Sequence, residues 1–152
     1  MRWFQTVQGY EAWQAHGPWV SQHWDTLNPD VRSRFDTASL YTTADRDAAA
    51  LGLVGARQTV DRILGDDLLL LPSASSIAPT RDEASLGGTV IEQARATTFR
   101  LTVTAGLSGR CAISVPIPTP GAPVGLNIVG PRHSDTHLLH LATQTQRAGI
   151  SQ

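Results

Sequence analysis

Three histidines near the C-terminal end of the sequence have a spacing that could support chemistry. His133, His137 and His140 are separated by four and three residues, which places them near one face of a helix. With Asp135 they could form an acid–base pair or bind a metal ion. A metal site needs ligands that converge from a rigid frame, and the sequence offers no fourth ligand. A polar helix face in solvent is therefore the favoured interpretation, and no metal is expected.

Other reactive side chains are isolated from one another in the sequence. His16 lies in an aromatic-rich region and is expected to cap or pack against a helix, although it is kept as a weak catalytic candidate. Cys111 begins an apolar segment, which favours a buried free thiol over a nucleophile. His23-Trp24-Asp25 could line a pocket, but tryptophans also suit a core or an interface. No glycine-rich phosphate-binding motif is present, so no cofactor is expected.

The composition excludes several classes of function. All twelve basic residues are arginine, which excludes a lysine base or a lysine Schiff base in this chain alone. The net charge is −1 and no basic stripe appears, so nucleic acid is not an expected partner. No apolar run is long enough to span a membrane, no secretion signal is recognised, and a cytoplasmic location is expected. A length of 152 residues suits one domain, residues 1–152.

Periodicity in the first part of the chain indicates helices. The first is predicted from Arg2 to His16, with Gly17-Pro18 ending it. Asn28-Pro29-Asp30 combines a capping residue, a proline in the first turn and an acid, which is typical of a helix start. A longer helix is predicted from about Thr43 to Leu64, with Gly65 in the left-handed position after its end.

The second part of the chain combines strands with helices. Asp67–Pro72 is apolar on both faces, which predicts a strand buried in the middle of a sheet. Cys111–Val115 and Val124–Val129 are predicted to pair antiparallel across a proline-rich turn. The remaining segments are predicted as a loop over Ser73–Gly88, a helix over Thr89–Ala105 followed by Gly106, and a helix over Ser134–Arg147. The predicted fold class is α/β, a small mixed sheet of about three strands flanked by helices. Uncovered edges of so small a sheet predict a partner chain or self-association.

Two long segments carry a resemblance to a known family. Gly106–Pro116 reads GLSGRCAISVP, and Ala122–Pro131 reads APVGLNIVGP, followed by Ser134-Asp135. These segments resemble the C-terminal motifs of the amidase-signature family. Leu68–Ala74 is similar to the buried strand of that family, and Gln8–Trp19 resembles its indoleacetamide-type branch.

The resemblance implies the fold of the C-terminal half of an amide C–N hydrolase. It also implies catalysis by a lysine, a serine in a cis peptide and a nucleophilic serine, all of which precede the region that matches. Ser73-Ala74-Ser75-Ser76 is not the nucleophile segment, because it lacks the glycines that bring backbone amides close to an oxyanion. Gly106 stands where the family usually has Asn, Cys111 where it has Pro, and His133 where it mostly has Gly.

Three hypotheses remain open at this point. The first is a truncated, non-catalytic amidase-like protein that acts as a structural subunit or complements a separately encoded N-terminal half. The second is a repurposed stand-alone enzyme with His/Asp acid–base chemistry in specialised metabolism, assembled as a homo-oligomer. The third is a piece of a longer amidase. Fold ancestry alone does not decide among them.

Overall fold

The computed structural model describes residues 1–86 and 88–150, which fall into two compact units, Met1–Ala56 and residues from Arg57 onward. The helices are α1 (Arg2–Gln22), α2 (Pro29–Ser39), α3 (Thr43–Leu64), α4 (Arg81–Leu86), α5 (Thr89–Ser108) and α6 (Asp135–Ile150), with a 3-10 turn over Trp24–Thr26. The strands are β1 (Leu69–Pro72), β2 (Cys111–Ile117) and β3 (Val124–Gly130). Within the described ranges, every helix is too short or too polar to cross a membrane.

Helix α1 is longer than predicted. The predicted end at His16 is wrong, because the helix continues through Pro18 to Gln22. Proline lacks the N–H of one helical hydrogen bond and usually disrupts a helix. Here Gly17 before the proline and Val20 after it are buried, and the ring of Trp19 stacks on His23 with centroids 4.4 Å apart. Packing of this last turn therefore offsets the local cost of the proline.

The predicted starts of α2 and α3 are confirmed, and hydrogen bonds from capping side chains are present at both. The side chain of Asn28 accepts a hydrogen bond from the backbone N–H of Asp30 at 3.0 Å. At α3, the Asp45 carboxylate accepts from the hydroxyl and the backbone N–H of Thr42, while the Thr42 hydroxyl accepts from the backbone N–H of Asp45. Hydrogen bonds from the Thr42 side chain and backbone lower the pKa of Asp45.

Aromatic rings in the first unit lie directly on glycines. A Cβ atom on Gly9 would come within 2.9 Å of the Tyr41 ring, and one on Gly52 would lie closer still to the Trp3 ring. Buried residues of this unit include Val20, Ala38, Ala49 and Leu53. Because these glycines have no side chain, the rings can approach the helix backbones closely. A larger residue at either position would clash with the ring.

Replacing Gly52 with alanine should therefore destabilise the first unit, by about 1 kcal/mol or more, because overpacking forces the Trp3 ring to shift. Gly55 is the matched control on the same helix, since a Cβ there would meet no atom within 4 Å. Gly55→Ala should stabilise the chain by about 0.5–1 kcal/mol through helix propensity. Urea unfolding followed by tryptophan fluorescence checks both values. Equal shifts in the two variants would contradict the proposed contact.

The second unit is built on an antiparallel sheet with the strand order β1-β3-β2. The predicted central position of the Leu-rich strand is wrong, because β1 lies at an edge and β3 lies in the middle. The side chains of β1 alternate between half-buried and exposed, and Leu70 is 57% exposed. In β3, by contrast, the four residues 127–130 are all buried. A run of apolar residues therefore did not distinguish a central strand, which is buried on both faces, from an edge strand.

Helix α6 covers one face of the sheet. Val115 and Ile128 from the strands pack with Leu138 and Ala142 from the helix to form the core of this unit. The predicted start of this helix is confirmed: Ser134 directly precedes it, and its carbonyl accepts from the backbone N–H of Leu138 at 2.9 Å. The opposite face of the sheet is the one that bears Asn127 and the serines described below.

Two segments between β1 and β2 differ from the prediction. The expected loop contains α4, which begins with a capping box between Thr80 and Glu83; Gly87 lies outside the described residues. Hydrogen bonds from the backbone and side chain of Thr80 lower the pKa of Glu83. Helix α5 passes the predicted stop at Gly106 and ends at Ser108, because Gly109 adopts the left-handed conformation with φ of +69°. The predicted α/β class, with three strands and flanking helices, is confirmed, and both strand pairs among the described residues are antiparallel.

Candidate functional site

The second unit has an open groove of about 1210 Å³. The segment that follows β1, the inner side of α5 and the ends of β2 and β3 form its walls. Most of the lining is apolar, including Ile77, Ile91, Leu101 and Val124. Such a groove, with a few polar groups among apolar walls, is typical of sites that bind small molecules.

Two serines meet at the floor of the groove across the central strand. The hydroxyls of Ser73, just after β1, and Ser114, in β2, form a hydrogen bond. Between them lies Gly125 of β3, where a Cβ atom would come within 2.6 Å of the Ser73 Oγ and 3.2 Å of the Ser114 Oγ. Glycine at this position of the central strand therefore permits the two edge strands to join their hydroxyls over it.

A second set of hydroxyls lies where the segment after β1 meets α5. The Ser75 Oγ lies 2.7 Å from the Thr97 Oγ1 and 3.1 Å from the Thr98 Oγ1, and the Ser75 backbone N–H donates to Thr98. Thr97 and Thr98 are half-buried on α5. We call the groove the hydroxyl groove, defined by Ser73, Ser75, Thr97, Thr98 and Ser114. Hydroxyls both donate and accept hydrogen bonds, so the groove can bind a carbonyl or an amide.

The charge of the hydroxyl groove is entirely positive among the residues that the structure describes. Arg95 and Arg100 of α5 line it, and none of the described lining residues is an aspartate, glutamate or histidine. Arg95 pairs with Glu92, one turn away on the same helix. The groove therefore has donors and a positive potential, but the described lining offers no general base.

The histidines singled out in the sequence lie elsewhere. His133, His137 and His140 are exposed on or beside α6, and none lines the hydroxyl groove. His133 has a φ of +64°, a left-handed conformation that favours glycine. Across residues 1–86 and 88–150, no three His, Cys, Asp or Glu side chains are arranged to hold a metal ion. The predicted exposed polar face agrees with these positions, and a catalytic role for the three histidines remains untested.

Cys111 and Asp135 are brought together by the fold. The free thiol of Cys111 at the start of β2 donates to the Asp135 carboxylate at the start of α6, with 3.2 Å between sulfur and oxygen. The thiol was predicted to be buried, but the residue is only partly buried. His16 is exposed on α1, and the ring Nδ1–H of His23 donates a hydrogen bond to the Trp19 carbonyl, 2.8 Å away. His16 and His23 both belong to the first unit, whereas every residue that lines the groove belongs to the second.

A group of arginines closes the C-terminal end of α5. Arg57 donates to the carbonyl of Leu107 at 2.8 Å, and Arg132 donates twice to the carbonyl of Ser108 at 3.0 and 2.8 Å. Carbonyls at a helix end carry partial negative charge, so guanidinium groups stabilise them. Asp61 of α3 pairs with Arg132 at 2.8 Å and with Arg110 at 3.3 Å. We call Arg57, Asp61, Arg110 and Arg132 the arginine cluster. We assign it a structural role because Arg57 and Arg132 bind the C-terminal carbonyls of α5, while Asp61 pairs with Arg132 and Arg110.

Sequence reasoning missed the hydroxyl groove. Ser73 and Ser75 were assigned to a plain loop, and the serine-rich segment was compared only with a nucleophile motif. The signal that could have found it lies on one face of adjacent strands: Ser114 of β2 pairs with Asn127 of β3, and Gly125 lies two residues before Asn127 on the same face, beside the small residues after β1. The positions of Thr97 and Thr98 on the inner side of α5 depend on tertiary packing, which periodicity does not supply.

Comparison with known proteins places this geometry in a family. The amidase family model matches residues 18–139, which is most of the chain. A crystal structure described as an amidase is 25% identical, with a TM-score of 0.72; the match covers 92% of this chain and 33% of that one. Among curated proteins, no sequence matches.

Two further structures share the fold at lower identity. A variant of Kluyveromyces lactis allophanate hydrolase is 21% identical with a TM-score of 0.75, and the match covers 92% of this chain and 24% of that one. A glutamyl-tRNA(Gln) amidotransferase subunit from Thermotoga maritima is 23% identical with a TM-score of 0.54, and the match covers 86% of this chain and 29% of that one. The chain therefore spans about a third or less of each of these structures. With the family model matched over more than half of its length, the chain belongs to the amidase family.

Proposed function

We propose that this chain supplies the substrate-binding wall of an amide C–N hydrolase, and that a second polypeptide supplies the catalytic lysine and serines. One observation carries the proposal: the hydroxyl groove has apolar walls and hydroxyls that suit an amide, but its described lining has no aspartate, glutamate or histidine, and the sequence contains no lysine. Membership of the amidase family supports amide hydrolysis as the reaction class. A wall of this kind orients the substrate, while the partner would carry out proton transfer and nucleophilic attack.

Both outer strands of the sheet support a role as one part of a larger assembly. Strands β1 and β2 each pair on one side only among the described residues, which leaves backbone donors and acceptors on the other side. Such edges readily pair with another strand. Leu70 on β1 and Ile117 on β2 are also exposed, at 57% and 40%, so apolar side chains accompany the open edges. A complementing segment that extends the sheet would satisfy both features.

Complementation tests the proposal directly. The chain would be assayed for ammonia release from phenylacetamide, alone and after co-expression with the N-terminal part of the 25% identical amidase that this chain does not match. We expect no release by the chain alone and measurable release by the pair. A pair whose N-terminal part has its catalytic lysine replaced is the control and should be inactive. Ammonia release by the purified chain alone would overturn the proposal.

Mass measurement by light scattering tests the partner. We expect the co-expressed segments to form a one-to-one complex. A stable homo-oligomer of this chain that excludes the segment would instead show that self-association satisfies the sheet edges. That result would favour the stand-alone enzyme with His/Asp chemistry, for which the exposed positions of His133, His137 and His140 outside the groove offer no support so far.

A further inference from the structure

The polarity of the hydroxyl groove indicates a narrower class of ligand than amides in general. Its walls are largely apolar, its floor carries the Ser73 and Ser114 hydroxyls, and its charged groups are the two arginines of α5. No described carboxylate lines the groove to balance them. A ligand that complements this surface has an apolar body, a hydrogen-bonding group and a negative charge.

Arg100 is the residue available for that charge. The carboxylate of Glu92 engages Arg95, whereas Arg100 has no hydrogen-bond or ion-pair partner among the residues that the structure describes. A guanidinium group binds a carboxylate through two parallel hydrogen bonds, and it remains charged at all physiological pH values. An unpaired arginine at the wall of an apolar groove is therefore suited to fix the orientation of an anionic ligand.

We propose that the hydroxyl groove binds amphipathic carboxylates, with the apolar body against Ile91, Leu101 and Val124 and the carboxylate at Arg100. This inference deepens the proposed function and rests on it for its biological meaning. The substrate class becomes apolar amides that carry a second, acidic group. The carboxylic acid released by hydrolysis of a simple apolar amide would bind to the same arginine as a product.

Equilibrium binding to the chain alone tests this inference without any catalysis. Phenylacetate and phenylacetamide have the same shape and differ in charge, so their dissociation constants would be compared by calorimetry or by NMR titration. We expect phenylacetate to bind about three- to tenfold more tightly, because Arg100 is exposed and its interaction is partly screened by solvent. The difference should shrink as salt is added.

Two variants with the same change of charge separate the groove from the general surface. Arg100→Gln should remove most of the preference for phenylacetate. Arg62→Gln, an exposed position on α3 that does not line the groove, should retain the preference. Equal affinities for the two probes, or equal effects of the two variants, would overturn the assignment of Arg100. If neither phenylacetate nor phenylacetamide binds, the groove is not a ligand site. If the probes bind but complementation fails, that result counts against the two-chain hydrolase only.

Discussion

Replacing Gly125 with alanine should destabilise the second unit by about 1–3 kcal/mol, the usual range for overpacking. The new Cβ atom would lie 2.6 Å from the Ser73 Oγ and 2.8 Å from the Ser73 Cβ, both closer than nonbonded atoms approach. Gly125 pairs with Pro116 of β2, and on the other side its carbonyl accepts a hydrogen bond from the Ser73 backbone N–H at 2.8 Å, so the backbone has little freedom to move away. The Ser73–Ser114 hydrogen bond must open, or the segment after β1 must shift.

Second-site changes distinguish this clash from a general loss of strand stability. Ser73→Gly removes the two closest atoms that the new methyl group would meet, so it should restore most of the stability lost in Gly125→Ala. Ser73→Ala leaves the Cβ at 2.8 Å and should restore less. A double-mutant cycle measured by urea unfolding should give a coupling energy of about 1 kcal/mol or more between Gly125 and Ser73. Simple additivity of the two changes would contradict the proposed contact.

Local signals in the sequence predicted the elements well where short-range chemistry decides the structure. Asn28 before Pro29, and Thr42 three residues before Asp45, define helix starts through hydrogen bonds within a few residues. Gly65 was placed correctly in the left-handed conformation, with a φ of +49°. The antiparallel pairing of β2 and β3 followed from a short turn and alternating side chains, which also act locally.

Predictions that depended on distant contacts were less successful. The position of β1 at the sheet edge depends on which strand pairs with which, and its four leucine-rich residues carry no information on that choice. Gly17-Pro18 was expected to end α1, but burial of Val20 outweighed the local preference. For the same reason the hydroxyl groove was missed. Ser75 and Thr97 are separated by 22 residues in sequence, and only the packing of α5 brings them together.

Replacing Asp61 of the arginine cluster with asparagine should destabilise the second unit by about 2 kcal/mol. Removing one member of a buried ion pair typically costs about 3–5 kcal/mol, and we reduce this value because Asp61 is 36% exposed. The side chain of Arg110 is only 4% exposed, and its Nε and Nη1 atoms have no hydrogen-bond partner among the described residues. Its remaining described acceptor would be the Gly65 carbonyl, 2.7 Å from Nη2.

A rescue experiment tests whether the uncompensated charge of Arg110 causes this loss. Arg110→Met removes the charge and keeps an apolar side chain of similar length, and such replacements of buried ion pairs are often neutral or stabilising. The double variant Asp61→Asn/Arg110→Met should therefore be more stable than Asp61→Asn alone. Glu92→Gln is the matched control for loss of a paired carboxylate, because the Glu92–Arg95 pair is exposed at 62% and 41% and should contribute less than about 1 kcal/mol. If the free energy of unfolding falls equally in Asp61→Asn and Glu92→Gln, or if Arg110→Met gives no rescue, then Asp61 does not hold the buried guanidinium in place. The end of α5 would then depend on Arg57 and Arg132 alone.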